Sequence, residues 1–271
     1  MLPTFLVIGA MKCGTTSLYY YLDAHPDIGM SIQKETDFFI QERNYEKGQT
    51  WYESRFREAG RARGECSPNY TKAHLFPGVA QRMYDLVPDA RLIYMVRDPI
   101  DRMVSHYVGN RVEGREERSF SAAVTEPADN NYLMTSRYHW QLRPYLDTFG
   151  ADHVLVRSLE ALSKRPARVL RDICRFVGVD EDDGDIANLR RFNASRTKRR
   201  HGPWTRWVKG ILSQPLKDTL RPYVPRGWIP GTSVEPPDPS PALREKLADR
   251  LRDDANALRR LTGRSFETWS V

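Results

Sequence analysis

Residues 5–18 read FLVIGAMKCGTTSL, in which an apolar, β-rich run passes through a glycine-bearing loop into a helical pattern. The apolar run predicts a first buried strand at residues 4–8, and the spacing of apolar residues predicts a helix over 16–24, closed by Pro26. The loop between them, residues 9–17, presents backbone N–H groups and a helix N-terminus to an anion. The sequence therefore predicts an anion site directly after the first strand.

The lysine of this loop is displaced relative to the P-loop of proteins that bind nucleoside triphosphates. Gly9 and Gly14 have the GxxxxG spacing of that motif, but Thr15 stands where the motif has its lysine, and the lysine here is Lys12. The pattern favours binding of a phosphate without the magnesium–triphosphate arrangement of a kinase. The alternative is a glycine turn that carries an incidental lysine.

Short apolar runs alternate with helical patterns as far as residue 179, which is typical of a parallel sheet with crossover helices. Further strands are predicted at residues 91–96 and 154–157, with a weaker candidate at 64–66. Helices are predicted at residues 75–86, 99–112, 136–149 and 166–177, and an amphipathic helix at about 240–262. We expect a single α/β domain over residues 1–271, with a central parallel β-sheet flanked by helices.

A second polar cluster, RDPIDRMVSHY at residues 97–107, begins where the 91–96 strand ends. Open parallel sheets bind their ligands at this carboxyl edge. Arg97 lies at the strand end and Ser105 about two turns into the following helix, so both can face one phosphate. The alternative for Arg97 is an ordinary ion pair with Asp98 or Asp101.

With these two clusters the chain resembles the sulfotransferases that use 3′-phosphoadenosine 5′-phosphosulfate (PAPS), especially the carbohydrate, heparan-sulfate-like branch and its bacterial relatives. The matching motifs span residues 5–200 in the family's order. The resemblance implies a P-loop-like sulfotransferase fold and direct in-line transfer of a sulfuryl group, leaving 3′-phosphoadenosine 5′-phosphate (PAP). No metal is expected, because Lys12, Arg97 and the loop amides can meet the negative charge of the donor.

The resemblance also assigns the cofactor-binding residues. Residues 5–18 match the family's 5′-phosphosulfate motif, in which Lys12 steadies the bridging oxygen, and Arg97 and Ser105 match its 3′-phosphate site. Residues 192–200 match the late basic loop, for which a solvated face or an attractor of anionic acceptors are the alternatives. The residues assigned to the cofactor are Lys12, Cys13, Gly14, Thr15, Thr16, Ser17, Arg97, Ser105, Arg199 and Arg200.

The acceptor side of the resemblance is KETDFF at residues 34–39, which is similar to the family's E-x-x-F-F segment. The glutamate of that segment, here Glu35, is the base that takes the proton of the acceptor. The alternative is a surface acid beside Lys34. Because other branches of the family use histidine, His106 is a further catalytic candidate, expected beside the cofactor, and His74 is a reserve.

The segment GECSPNY at residues 64–70 resembles a turn that lines the family's acceptor cleft. Some carbohydrate sulfotransferases have a lysine just after this glutamate, whereas this chain has Cys66. The departure weighs against a heavily sulfated polysaccharide as acceptor. A carbohydrate and a small molecule both remain candidates, and so do O- and N-sulfation.

Charge and composition limit the classes of partner. The chain of 271 residues has 42 Lys and Arg against 35 Asp and Glu, a net charge of +7. Residues 190–226 carry eleven basic residues and one acid, which favours a local anion site over a surface that coats nucleic acid. Three distant cysteines without a CxxC pattern, and no apolar run near the roughly 20 residues of a membrane helix, predict a cytoplasmic protein without membrane partners.

Two other classes of function stay open on the sequence. A P-loop kinase of small molecules is favoured by GxxxxG, but Thr15 in place of the lysine opposes it. A non-catalytic protein that binds anions or nucleic acid is suggested by the basic segment. That second alternative leaves Lys12 and Glu35 unexplained.

Overall fold

The computed structural model describes residues 1–57, 60–181 and 234–271. In these ranges five strands form one sheet: β1 (Phe5–Gly9), β2 (Ile28–Met30), β3 (Ala62–Cys66), β4 (Arg91–Val96) and β5 (Val154–Ser158). All neighbouring strands are parallel, in the order β2-β3-β1-β4-β5. β1 and β4 are buried along almost their whole length, which explains why they appear in the sequence as continuous apolar runs.

Helices in the connections between the strands cover the sheet. Those in the described residues are α1 (Thr15–Asp23), α2 (Gly48–Glu53), α3 (Val79–Leu86), α4 (Pro99–Glu113), α5 (Phe120–Thr125), α6 (Asn131–Ser136), α7 (Tyr138–Phe149), α8 (Leu159–Lys164), α9 (Pro166–Val177) and α10 (Pro241–Thr262). Short 3-10 turns lie at Tyr45–Lys47 and Ala151–His153. The main core surrounds the sheet, and a second core joins α4, α5 and α6 to α10.

The α/β class and the parallel sheet flanked by helices are confirmed. The structure adds β2, and it shortens the helix predicted at 75–86, because Pro77 and Gly78 precede it and Gly78 has a φ of 76°. The helix predicted at 136–149 is α7, which begins at Tyr138 because Arg137, with a ψ of 75°, is not helical; the separate short helix α6 precedes it. One domain over residues 1–271 remains a proposal, because residues 182–233, with most of the basic and proline-rich segment, lie outside the described residues.

The strand order decides where a ligand can bind. The chain leaves β1 toward β2 on one side of the sheet and later passes from β3 to β4 on the other side. A crevice therefore opens at the carboxyl ends of β1 and β4, which pair with each other, at the point where the order reverses. Both polar clusters of the sequence follow these two strands.

Candidate active site

The loop after β1 ends in an open helix N-terminus. Gly14 is the residue before α1, with a φ of 83°, and no side chain caps the helix there. A side chain at this position would be strained, and its Cβ would lie 2.5 Å from Cδ1 of Leu159. The first-turn amides of α1 are therefore available to an anion, and the positive end of the helix dipole also favours one there.

Lys12 lies across the surface of α4. A Cβ atom on Gly109 would come within 2.6 Å of the Lys12 ammonium nitrogen, so the bare backbone at Gly109 makes the room that this side chain occupies. A glycine inside a helix costs about 0.5–1 kcal/mol relative to alanine. Gly109 is thus a site residue that our sequence analysis missed. The signal that identifies it is a lone glycine in a helical pattern.

The other residues of the loop differ in their exposure. Cys13 and Thr15 are buried, whereas Gly14, Thr16 and Ser17 are half-buried. The Cys13 amide donates to the carbonyl of Ala10, its Sγ lies 3.5 Å from the Tyr138 hydroxyl, and burial raises its pKa to about 12. Cys13 therefore shapes the loop from inside, and its thiol faces the core.

Arg97 and Ser105 line one cavity of about 290 Å³, as their spacing predicts. Arg97 also forms the strand-end ion pair, because its Nη2 lies 3.2 Å from Oδ2 of Asp101. The same cavity contains Arg244 of α10, whose Nη2 lies 3.1 Å from Oδ1 of Asp238. Two arginines and a hydroxyl thus line a single cavity. The remaining lining residues are Asp101, Val104, Val108, Pro236 and Pro237.

Asp98 has a different role from the ion pair considered for it. Its Oδ1 accepts the amide of Asp101 at 2.9 Å and caps α4, while Oδ2 accepts the hydroxyl of Ser270 at 2.7 Å. The cap fixes the start of α4 at the end of β4. It thereby fixes the position of Ser105 on α4 relative to Arg97 at the end of β4.

On the acceptor side, Glu35 is the exposed member of a buried segment. Its Oε1 lies 2.5 Å from the Lys34 ammonium, and its side chain is 44% exposed. Phe38 and Phe39, by contrast, are buried in the main core. The polar side chains of Thr36 and Asp37 are buried as well. Four consecutive buried side chains thus hold the segment in place while Glu35 reaches solvent.

A fully buried carboxylate anchors this segment to the sheet. Oε1 of Glu65, on β3, accepts hydrogen bonds from the hydroxyls of Thr36 at 2.5 Å, Ser67 at 2.6 Å and Tyr70 at 2.6 Å. Oε2 accepts the Tyr52 hydroxyl. Burial raises the pKa of Glu65, although the four hydroxyl donors oppose the shift. Glu65 is thus a structural anchor and not a wall of the acceptor cleft.

Comparisons with known proteins show the family of the chain. Residues 2–212 match the family model of the sulfotransferase domain. The chain belongs to the sulfotransferase domain family. A crystal structure of a sulfotransferase from Alicyclobacillus acidocaldarius superimposes with a TM-score of 0.72 and 29% identity, covering 100% of both chains.

Two similar relatives of this sulfotransferase-family chain come from Mus musculus. One is the bifunctional heparan sulfate N-deacetylase/N-sulfotransferase 1, with 28% identity over 197 residues, covering 65% of this chain and 22% of that protein. The other is heparan sulfate glucosamine 3-O-sulfotransferase 3B1, with 30% identity over 187 residues, covering 66% of this chain and 46% of that protein. The chain thus matches less than half the length of either relative.

Both histidine candidates are engaged by neighbouring side chains. His106 is 3% exposed, its Nδ1 lies 3.3 Å from Nη1 of Arg102, and burial together with the Arg102 charge holds its pKa well below the usual range. His74 has both ring nitrogens engaged, with Asn131 at 3.0 Å and Gln141 at 2.8 Å. Glu35 is therefore the better placed base, and its role remains a proposal.

The assignments to Arg199 and Arg200 lie outside the described residues. In the described part of the chain, no group of three His, Cys, Asp or Glu side chains is arranged to hold a metal ion. The helices of that part are also too short or too polar to cross a membrane.

Proposed function

We propose that this chain transfers a sulfuryl group from PAPS to a hydroxyl or amine of a carbohydrate or small-molecule acceptor and releases PAP. The observation that carries the proposal is a pair of sites with cationic side chains and hydrogen-bond donors at the carboxyl ends of two adjacent strands. One is the Lys12 loop after β1, and the other is the cavity of Arg97 and Ser105 after β4. A nucleotide with phosphates at both its 5′ and 3′ positions carries the two anionic groups that these sites require.

The residues present fit the donor. The uncapped N-terminus of α1 and Lys12 suit the 5′-phosphosulfate, and Arg97, Ser105 and Arg244 suit the 3′-phosphate. Both arginines pair with carboxylates in the structure, at Asp101 and Asp238. A phosphate dianion is a stronger partner for a guanidinium than a solvated carboxylate, and charge-assisted hydrogen bonds to it are short and directional.

The chemistry proposed is a single displacement at sulfur. The acceptor oxygen or nitrogen forms a bond to sulfur while the bond from sulfur to the bridging phosphate oxygen breaks, and negative charge develops on that oxygen. Lys12 stabilises this charge from a fixed position, which is the arrangement that lowers the barrier most. Glu35 accepts the proton that the acceptor loses.

The acceptor class is proposed from two observations. Both relatives named above act on heparan sulfate according to their descriptions, one by N-sulfation and one by 3-O-sulfation, which favours a sugar hydroxyl or amine. Cys66, which stands where some carbohydrate enzymes have a lysine, is fully buried and its Sγ lies 3.5 Å from the carbonyl of Thr15. It offers no charge to an anionic acceptor. We therefore favour a sugar with few sulfate groups, or a small molecule.

The test is transfer of ³⁵S-sulfate from PAPS to a panel of unsulfated oligosaccharides, amino sugars and small alcohols. The proposal expects label in an acceptor and stoichiometric release of PAP without added metal. Label retained in PAPS with every acceptor, together with thermal stabilisation by ATP and magnesium but not by PAP, would instead support a P-loop kinase.

A further inference from the structure

Lys72 is a buried lysine whose ammonium lies at the phosphate loop. It follows β3 in the turn that also carries Tyr70, and it is 6% exposed. Its Nζ lies 3.2 Å from Sδ of Met11, the residue before Lys12. A thioether is a weak acceptor and carries no charge. Within residues 1–57, 60–181 and 234–271, no carboxylate forms an ion pair with Lys72.

The surroundings disfavour the charge that this lysine carries. Burial, followed by the nearby guanidinium groups of Arg102 and Arg43, lowers the pKa of Lys72 from 10.5 to about 8, against the smaller opposing effect of Asp37 and Glu35. A buried cation without a counterion is unfavourable in a folded protein. Groups whose pKa is shifted in this way cluster at functional sites.

The position of Lys72 connects the two halves of the site. His106 on α4 is affected by the charges of both Lys72 and Lys12, and Lys12 lies against Gly109 one turn further along the same helix. Lys72 also lies within electrostatic range of Glu35, the proposed base. The ammonium therefore lies near the region where the sulfuryl group passes from donor to acceptor.

We propose that Lys72 is a second catalytic cation, which donates hydrogen bonds to the sulfuryl oxygens while the group moves from PAPS to the acceptor. This inference rests on the proposed function. In the step, the acceptor–sulfur bond forms, the bond from sulfur to the bridging phosphate oxygen breaks, and Glu35 takes the acceptor proton. Lys72 keeps its own proton throughout. Lys12 meets the charge on the leaving phosphate, and Lys72 meets the charge on the transferred group.

The division of labour predicts a pH dependence. In the enzyme without ligand, Lys72 loses its proton as the pH rises through about 8. The value of kcat/KM for PAPS should therefore fall above that pH in the wild-type enzyme. A methionine at this position removes the titrating group, and an arginine stays charged. The charged and titratable groups that influence Lys72 or are influenced by it are Lys12, Glu35, Asp37, Arg43, His74, Arg102 and His106.

The test compares Lys72→Met and Lys72→Arg with the wild type, using Lys164→Met on the exposed end of α8 as the matched control. Binding of PAP and of PAPS is measured by titration without acceptor, and turnover is measured from pH 7 to 9. Lys72→Met should bind PAP within threefold of the wild type and turn over about a hundredfold more slowly. We expect the wild type to bind PAPS more tightly than PAP, and Lys72→Met should lose this difference. Lys72→Arg should keep more activity than Lys72→Met and show no fall in kcat/KM above pH 8.

Two outcomes would overturn the inference while the proposed function stands. In the first, the wild type transfers sulfate and Lys72→Met does so at a comparable rate. In the second, Lys72→Met loses affinity for PAP and PAPS equally, which would place Lys72 at a phosphate or in a structural role. A wild-type protein that neither binds PAP nor transfers sulfate would overturn the proposed function, and this inference with it.

Discussion

Thr36, the residue after the proposed base Glu35, donates a hydrogen bond of 2.5 Å from its hydroxyl to the buried carboxylate of Glu65. The acceptor carboxylate belongs to β3, and Thr36 belongs to the loop that follows β2. A hydrogen bond to an ionised group contributes more than one between neutral groups. The position of the base thus depends on a carboxylate that is itself closed to the substrate.

Replacing Thr36 by valine should therefore affect the proposed base Glu35 without affecting the binding of the nucleotide. The variant removes the hydroxyl donor, keeps the shape of the side chain, and should lower the free energy of unfolding by about 1.5–3 kcal/mol. We expect kcat to fall about tenfold and PAP affinity to stay unchanged. Thr36→Ser, which keeps the hydroxyl, is the control. Equal turnover in both variants would show that the Glu65 contact does not position Glu35.

Glu35→Gln tests the base itself. The variant keeps the size of the side chain but replaces the carboxylate oxygen that would accept the proton, so turnover should fall by about a hundredfold or more. Titration with PAP should give the wild-type affinity, because Glu35 lies on the acceptor side. His106→Ala and His74→Ala are measured beside it. If either histidine variant abolished transfer while Glu35→Gln stayed active, the base would be histidine.

Gly109→Ala should separate stability from activity. Alanine favours the helix by about 0.5–1 kcal/mol, but its Cβ would occupy the space of the Lys12 ammonium, 2.6 Å away in the structure. We expect a slightly raised melting temperature and a turnover reduced about tenfold. Lys12→Ala alone should cost a hundred- to a thousandfold. In the double variant Gly109→Ala should have no further effect, and an additive loss would mean that Gly109 acts independently of Lys12.

How far the sequence predicts the structure depends on how local each feature is. β1 and β4 are buried on both faces, so their apolar runs identify them. Arg97 directly follows β4 and Ser105 lies on α4, so their spacing is local to one strand–helix connection. β2 has only three residues, too few to show a period. Arg244 reaches the same cavity from the distant helix α10, and no local pattern indicates such a contact.

The same reasoning applies to the acceptor side. The segment of Glu35 was found by its resemblance to a motif, yet the hydrogen bonds that hold it come from Glu65 on another strand. Lys72 carries no signal of burial in the sequence, since a lysine in a turn is ordinarily solvated. Its enclosure beside Met11 exists only in the folded chain.

Lys72 should make stability depend on pH in a defined direction. Its pKa is lowered from 10.5 to about 8 in the folded protein, so the unfolded chain binds the proton more tightly. The cost of the buried charge is then fully present below pH 8 and disappears as the pH rises toward 10.5. A shift of this size corresponds to about 3 kcal/mol.

Denaturant titrations of wild type and Lys72→Met should reveal this cost. The variant should be the more stable protein at pH 7. The difference in the free energy of unfolding should shrink as the pH approaches the pKa of the lysine in the unfolded chain. Lys164→Met provides the comparison for an exposed lysine. A difference that stayed constant over this range would mean that Lys72 has an ordinary pKa in the folded protein.

The central claim is that two anion sites on adjacent strands hold a nucleotide by both of its phosphates. Its most direct test is calorimetric titration of the wild type, Arg97→Gln and Arg244→Gln with PAP and with AMP, and Arg252→Gln on the exposed face of α10 serves as control. We predict that the wild type and Arg252→Gln bind PAP at least a hundredfold more tightly than AMP, from charged hydrogen bonds of about 1.5–3 kcal/mol each. Arg97→Gln should lose most of this preference, Arg244→Gln should lose part of it, and AMP affinity should stay the same. Equal affinities of the wild type for PAP and AMP would contradict the account.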